Sequence, residues 1–396
     1  MTHPAAALAS TLAIQTLASL VATAPSVLAP VVAPSLGFGA ERVGLFVGLT
    51  YLTAMLSGLA SGAWVARFGA VRVSQAAMLA CALATLAALA GSLLPLALAA
   101  LALGTGYGLI NPAASTLLAR HAPLSRRGLF FSIKQTGVPL GVASAGLLMP
   151  LGLHALGWRP SIVLAGAACA ALALALRPLV AKLDPPRAAT GDAPASRSWR
   201  AGLATVIRDP ALRTLSLASF AFAFTQLCFT TFLVSYLHLE LGQSLSTAAA
   251  VLAGSQLVST ASRIGWGHVA DRWEAPGILL GALGLAMALA CAGLALLGES
   301  AGTGLIVAAA VCCAATVMGW NGVFFAELAR QSSRADMATL AGASQFVTFF
   351  GSMSGPVIFA ELIRNGGSYG GAYLMLGVLP ALAGVAMLRA ARRDRA

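Results

Sequence analysis

Apolar stretches long enough to cross a lipid bilayer recur twelve times along the 396 residues of this chain, separated by short charged or Pro/Gly-rich breaks. A spanning helix needs about 20 predominantly apolar residues, because the hydrocarbon core is ~30 Å thick and an α-helix rises roughly 1.5 Å per residue. The stretches fall at 8–33, 43–66, 71–93, 96–119, 129–154 and 159–180, then at 211–237, 246–269, 276–298, 303–327, 337–362 and 369–390. They predict an all-α membrane protein with twelve transmembrane helices. Charge scarcity supports this reading, since only 9% of residues are charged, against about 25% in a typical soluble domain.

The basic excess, 24 Lys and Arg over 12 Asp and Glu, is scattered singly between apolar stretches. That pattern excludes a nucleic-acid patch and reads as a topology signal. With the N-terminus inside, outward loops hold only Arg42, Arg159 and Arg364, and 21 of the 24 bases lie on or close to the inner side. The positive-inside rule then puts both termini on the cytoplasmic side of what is expected to be a bacterial inner membrane. The segment from Met1 to Ser26 lacks a basic start and its apolar run continues to Val32, so it reads as an uncleaved first span.

The one long polar segment, Arg177 to Arg213, holds Asp184, Pro185, Pro186, Asp192, Pro194 and seven basic residues. It divides the chain into an N-terminal six-helix bundle (1–180), a cytoplasmic linker (181–210) and a C-terminal six-helix bundle (211–396). The two halves match at a nearly constant offset. Gly62, Ala66 and Arg67 answer Gly267, Asp271 and Arg272 at 205 residues; Asn111, Arg120, Gln135 and Gly141 answer Asn321, Arg330, Gln345 and Gly351 at 210; Gln15 answers Gln226 at 211. A shared narrow offset marks a duplicated fold.

Six plus six spans, the central linker and the loop motif of Gly, three residues, then Asp-Arg resemble the major facilitator superfamily over essentially the whole chain. Gly267 to Arg272 matches that motif well; the first copy has Ala66 in place of the usual Asp but keeps Arg67, Gly69 and Arg72. The resemblance implies two pseudo-symmetric six-helix bundles that rock about a central substrate site. It also implies that Gly62, Arg67, Arg72, Gly267, Asp271 and Arg272 form a conformational latch, weakened in the first half by Ala66.

Ionisable residues inside spans are the primary functional candidates. Arg263 lies about six residues before the inner end of span eight and Lys134 about six residues into span five, each roughly 9 Å deep at 1.5 Å per residue. No acid in the spans is an evident partner, and buried cations without partners are costly unless an anion visits. Gln256, Ser259 and Arg263 share one helix face by their spacing. The position of Arg263, four residues ahead of Gly267, resembles the span-eight arginine that holds the anion in monocarboxylate transporters, oxalate/formate exchangers and nitrate porters. A guanidinium suits that task through its permanent charge and paired donors. The competing reading pairs Arg263 with a helix C-terminus. In the family fold spans five and eight are neighbours, which would bring Lys134 close to Arg263. The segment Gly137-Val-Pro139-Leu-Gly141 resembles in part the Gly-Pro motif of family exchangers.

Gln15, Asn111, Gln135, Gln226, Asn321 and Gln345, with Tyr107 on the face of Asn111, are the expected neutral substrate ligands. Phe222, Phe229 and Trp320 read as packing. Family drug:proton antiporters generally carry an embedded acid and a span-four arginine; here no Lys or Arg occurs between Val73 and Ala119. The inventory favours a small anionic substrate, a carboxylate of the kind a guanidinium and an ammonium select, coupled to a proton or a counter-anion. Efflux of lipophilic drugs or metabolites is the second reading and a transporter-like sensor the third. The five histidines show no zinc spacing, the six cysteines no CxxC, and no GxxxxGK[ST] loop or Ser/His/Asp set occurs. No enzyme, metal or cofactor is therefore expected, and the protein is expected to act as a monomer in the bilayer.

Overall fold

The chain folds almost entirely into helices, and where they break follows from single residues that withhold or redirect backbone hydrogen bonds. The computed structural model describes residues 3–123, 126–184, 199–273, 275–332 and 337–393. Its contacts divide into two units, Met1–Gly191 and Asp192–Ala396.

The first unit contains α1 (His3–Ser35), α2 (Val43–Phe68), α3 (Ala70–Ala88), α4 (Leu93–His121), α5 (Arg127–Gln135), α6 (Gly137–Leu156), α7 (Trp158–Ala175) and α8 (Arg177–Leu183). Helices α5 and α6 are one span interrupted at Thr136. Pro139 has no N–H to return to the Gln135 carbonyl, and the chain tightens there, with Thr136 N donating to Ile133 O at 3.1 Å. α1, by contrast, runs unbroken through Pro25, Pro30 and Pro34.

The second unit contains α9 (Trp199–Arg208), α10 (Pro210–Ser235), α11 (Leu245–Trp273), α12 (Pro276–Ala295), α13 (Thr303–Val317), α14 (Asn321–Gln331), α15 (Met337–Arg364), α16 (Tyr369–Leu376) and α17 (Val378–Arg393). Pro380 explains the break between α16 and α17 as Pro139 does the first, because Leu376 loses its partner. Span ten breaks between α13 and α14 with no proline, at Met318, Gly319 and Trp320.

Among the described residues, eleven helical segments are long and apolar enough to cross a membrane. The twelfth expected span, α11, has 29 residues, ample for a bilayer, but falls outside the eleven. Its face of Ser255, Gln256, Ser259, Thr260, Ser262 and Arg263 lowers its hydropathy. Polar and charged groups inside a span face the protein interior, so the helix that fails a hydropathy test is the one to search for function.

The pairing of helices repeats between units. Span one packs on span five, two on four, and three on four and six (α1 on α6, α2 on α4, α3 on α4 and α7). Correspondingly, seven packs on eleven, eight on ten, and nine on ten and twelve (α10 on α15, α11 on α13 and α14, α12 on α13 and α17). Without a hydrophobic drive between helices in lipid, close approach at small residues supplies the packing. A Cβ at Gly104 or Gly108 of α4 would overlap the Thr50 or Ala54 carbonyl of α2, and one at Gly355 of α15 would stand 2.7 Å from Phe224 O of α10.

Candidate functional site

Among the described residues, interior polar side chains gather near Lys134 in the first unit and near Arg263 and the break in span ten in the second. In the first unit Lys134, near the end of α5, is only 3% exposed. Its ammonium donates to Asn111 Oδ1 on α4 and to Gln135 Oε1 at 3.2 Å. Among the described residues both of its hydrogen-bond partners are amide oxygens, and neither described ion pair involves it. An ammonium has three N–H donors, so this arrangement uses two.

Gln15 lies on α1 against the same break. A Cβ at Gly137 would stand 2.8 Å from Gln15 Cβ, so the glycine lets the glutamine side chain pass the start of α6. Gln15 is 1% exposed; its Nε2 donates to Ser19 Oγ at 3.3 Å, while Oε1 is buried without a partner. Tyr107, one turn before Asn111, lies against Tyr51 with ring centroids 6.1 Å apart.

In the second unit the break in span ten organises the cluster. A break frees carbonyls that must find donors, and α11 supplies them. Arg263 Nε donates to Met318 O at 3.1 Å, and Trp266 Nε1 donates to Ala315 O at 2.8 Å. Met318 caps α13 at its C-terminal end, so one donor of Arg263 does satisfy a helix C-terminus. Beyond the break, Trp320 Nε1 donates to Gln226 Oε1 at 2.9 Å, and Asn321 Nδ2 approaches the same oxygen at 3.4 Å. Gln256 and Ser259 are 1% and 0% exposed; Gln256 Nε2 reaches Ser255 Oγ and Met318 Sδ, whereas Gln256 Oε1 and Ser259 Oγ are buried without partners.

The expected residues thus separate into groups. Lys134, Asn111 and Gln135 meet in one unit; Gln226 and Asn321 meet in the other; Arg263 and Gln256 share Met318 as neighbour. Gln345 on α15 is half-buried and, among the described residues, makes no side-chain hydrogen bond. Three contributors escaped the sequence reading. Trp266 sits three residues after Arg263 on the same helix face, a spacing that could have flagged it. Trp320, read as packing, is packed edge-on to Phe222 at 5.7 Å but also holds Gln226. Met318 contributes through its carbonyl, which a side-chain inventory cannot show.

The loop-motif residues are placed differently from one another. Arg67 and Arg72 are exposed at the α2–α3 turn, with the Arg67 guanidinium 5.3 Å from the Phe68 ring centroid. Gly62, Gly267 and Arg272 lie on α2 and α11, and the side chain of Asp271 lies outside the described residues. The acid at this end of the first unit is Asp184, which follows α8. Its carboxylate accepts from Val71 N at 3.1 Å and Arg72 N at 3.2 Å, capping α3. The equivalent end of α12 has Glu327 of α14 against Gly277, where a Cβ would stand 3.3 Å from the carboxylate. Glu327 is 1% exposed and is held by Arg330 at 2.7 Å and Gln331 at 2.6 Å.

Comparison with known proteins gives consistent matches. The family model of the Major Facilitator Superfamily matches residues 11–356. An uncharacterized MFS-type transporter of Mycobacterium tuberculosis strain CDC 1551 is 26% identical over 284 residues, 70% of this chain and 60% of the relative; one from strain H37Rv is 29% identical over 173 residues, 42% of this chain and 36% of the relative. The chain therefore spans about 60% or less of the length of these curated relatives. Among solved structures, a bacterial homolog of the human lysosomal transporter Spinster superposes with a TM-score of 0.81 at 20% identity, covering 98% of this chain and 97% of that one. The nucleoside transporter NupG gives 0.80 at 15% identity, covering 97% and 99%. Likeness at such identity speaks for the fold.

Proposed function

Because the chain belongs to the Major Facilitator Superfamily, we propose that it is a secondary active transporter that carries a small organic anion, a carboxylate, across the membrane by alternating access. The observation that carries the anionic part is Lys134, an ammonium 3% exposed inside a span and bonded to two amide oxygens. Removing an ammonium from water costs several kcal/mol even after relaxation, and two amide dipoles return only part of that. The donor they leave unused can meet a carboxylate, which supplies the missing opposite charge. In this reading Asn111 and Gln135 hold the ammonium in place, and Gln15 contributes its buried amide.

Arg263 is the second charge in the proposal, with Gln256, Gln226, Asn321, Gln345 and Tyr107 as further ligands. The bond from Arg263 to Met318 ties it to the broken span ten, so an anion drawing on the guanidinium would also act on that break. Discontinuous helices are where related transporter architectures build substrate sites. Bundles 1–180 and 211–396 are the moving parts in this scheme. The loop residues Gly62, Arg67, Arg72, Gly267, Asp271 and Arg272 are the latch, a proton or counter-anion is the coupling partner, and the linker faces the cytoplasm in an inner membrane.

The test is counterflow of labelled acetate, lactate and oxalate in proteoliposomes. Lys134→Gln, reconstituted at the parental level, is expected to lose saturable exchange of its preferred carboxylate at least tenfold, and Lys134→Arg to retain a measurable part. Parental exchange by Lys134→Gln would overturn the reading.

A further inference from the structure

One apolar cavity in the first unit lies away from the polar cluster. It has a volume of about 370 Å³ and is walled by the end of α1, the start of α2 and the adjoining ends of α3, α4 and α7. Arg42 is part of its wall. Apart from Arg42 and the Trp158 indole, the wall's one polar side chain is Thr85, whose hydroxyl donates to Ala82 O at 2.7 Å. The cavity interior therefore offers an entering molecule mainly apolar contact.

Its rim is cationic. Arg42 is exposed, with its guanidinium 5.3 Å from the centroid of Phe38, another wall residue. Arg159 is stacked 4.4 Å over Trp158 of the wall. Gly91, on which wall residue Leu36 packs, has a site for a Cβ 3.8 Å from Arg159 Nη2. The neighbouring acid, Glu41, turns back onto Gly39 of its own loop and is not part of the wall.

We propose that this cavity binds a single-chain anionic amphiphile, a long-chain carboxylate, with its chain inside and its head group on Arg42. The volume sets the chain count. At roughly 30 Å³ per small group, the share of one water in the liquid, 370 Å³ accommodates about a dozen methylenes, the size of one chain. The charge calls for an anionic head group, and a guanidinium can hold a carboxylate through two parallel hydrogen bonds.

The experiment uses the full chain in nanodiscs of zwitterionic phospholipid and measures radiolabelled dodecanoate binding at equilibrium. Saturable binding near one per protein is expected, weakened at least tenfold by Arg42→Gln and by less in Arg42→Lys, which keeps the charge but not the paired donors, and lost in Ala88→Phe, which fills the cavity from α3. Dodecanol is expected to compete at least tenfold less well than dodecanoate, and phosphatidylglycerol to compete poorly. Non-saturable binding, or parental binding by both Arg42→Gln and Ala88→Phe, would overturn the proposal. So would loss of binding in Lys134→Gln alone, which would place the amphiphile in the polar cluster, and so would competition by phosphatidylglycerol equal to that of dodecanoate.

Discussion

Replacing Asp184 by alanine is expected to loosen the first unit while leaving the second as it is. The carboxylate caps α3 through two backbone donors, Val71 N at 3.1 Å and Arg72 N at 3.2 Å. Alanine removes both bonds and a negative charge at a helix N-terminus. Losing a capping side chain costs about 0.5–2 kcal/mol, and the charge near the dipole adds about 0.3–1 kcal/mol. Because Arg72 is exposed and the second bond is partly solvated, about 1–2 kcal/mol is the expected total. For a unit of this size that corresponds to roughly 2–8 °C in the unfolding midpoint.

The free cysteines make the readout unit-specific. Cys81 on α3 and Cys169 on α7 are fully buried in the first unit, and Cys228, Cys291 and Cys313 are at most 1% exposed in the second. Thermal labelling with a thiol reagent, resolved by mass spectrometry, should show Cys81 and Cys169 reacting at lower temperature in Asp184→Ala, with Asp184→Asn intermediate. Gly69 provides an internal check. Its φ of +93° disfavours a side chain, and a Cβ there would overlap the Asp184 carboxylate. Gly69→Ala should therefore cost more in the parent than in Asp184→Ala. Unchanged labelling of Cys81 and Cys169 in Asp184→Ala, or strict additivity with Gly69→Ala, would refute the capping role.

Three further outcomes follow from the same geometry. Arg330→Leu removes the charged partner of the 1% exposed Glu327 and leaves it Gln331 as donor, which should destabilise by about 1–3 kcal/mol, with Glu327→Gln restoring much of the loss in the double variant; thermal unfolding in detergent reads both. Gln226→Leu leaves the buried Trp320 Nε1 without its acceptor and should cost about 1–3 kcal/mol by the same measurement. Gly104→Ala places a methyl on the Thr50 carbonyl; forced separation of α2 and α4 should cost at least ~1–3 kcal/mol and reduce the monodisperse yield after extraction.

Hydropathy alone made most of the helices legible, because the bilayer requirement acts on every span independently. The repeat offset added the pairing logic, and the pairings of α1 with α6 and α10 with α15 follow it. Pro139 openly signals the break in span five, but where span ten breaks could not be read. The second depends on Trp266 and Arg263 satisfying carbonyls that sequence does not mark, since any residue has a carbonyl to offer.

The duplicated scaffold also misleads about chemistry, for a physical reason. Asn111 and Asn321 occupy equivalent places, yet Asn111 presents its oxygen to an ammonium and Asn321 its nitrogen to Gln226. An amide is donor at one end and acceptor at the other, so a single neighbouring cation decides which end is used. Lys134 supplies that cation in the first unit. At its repeat-related position, 210 residues on, the second unit has Ser344, whose hydroxyl bonds to Ser216 at 3.1 Å. The acids diverge in the same way. Asp184 reaches α3 from beyond the sixth span, whereas Glu327 reaches α12 from within the tenth. Helix packing requires shape, which duplication preserves, but charge compensation requires only that some partner arrive, and each half has found its own. The asymmetry concentrates an ammonium with amide partners in one unit and a guanidinium on a helix break in the other, which is why the two cations deserve separate mutational tests rather than treatment as equivalents.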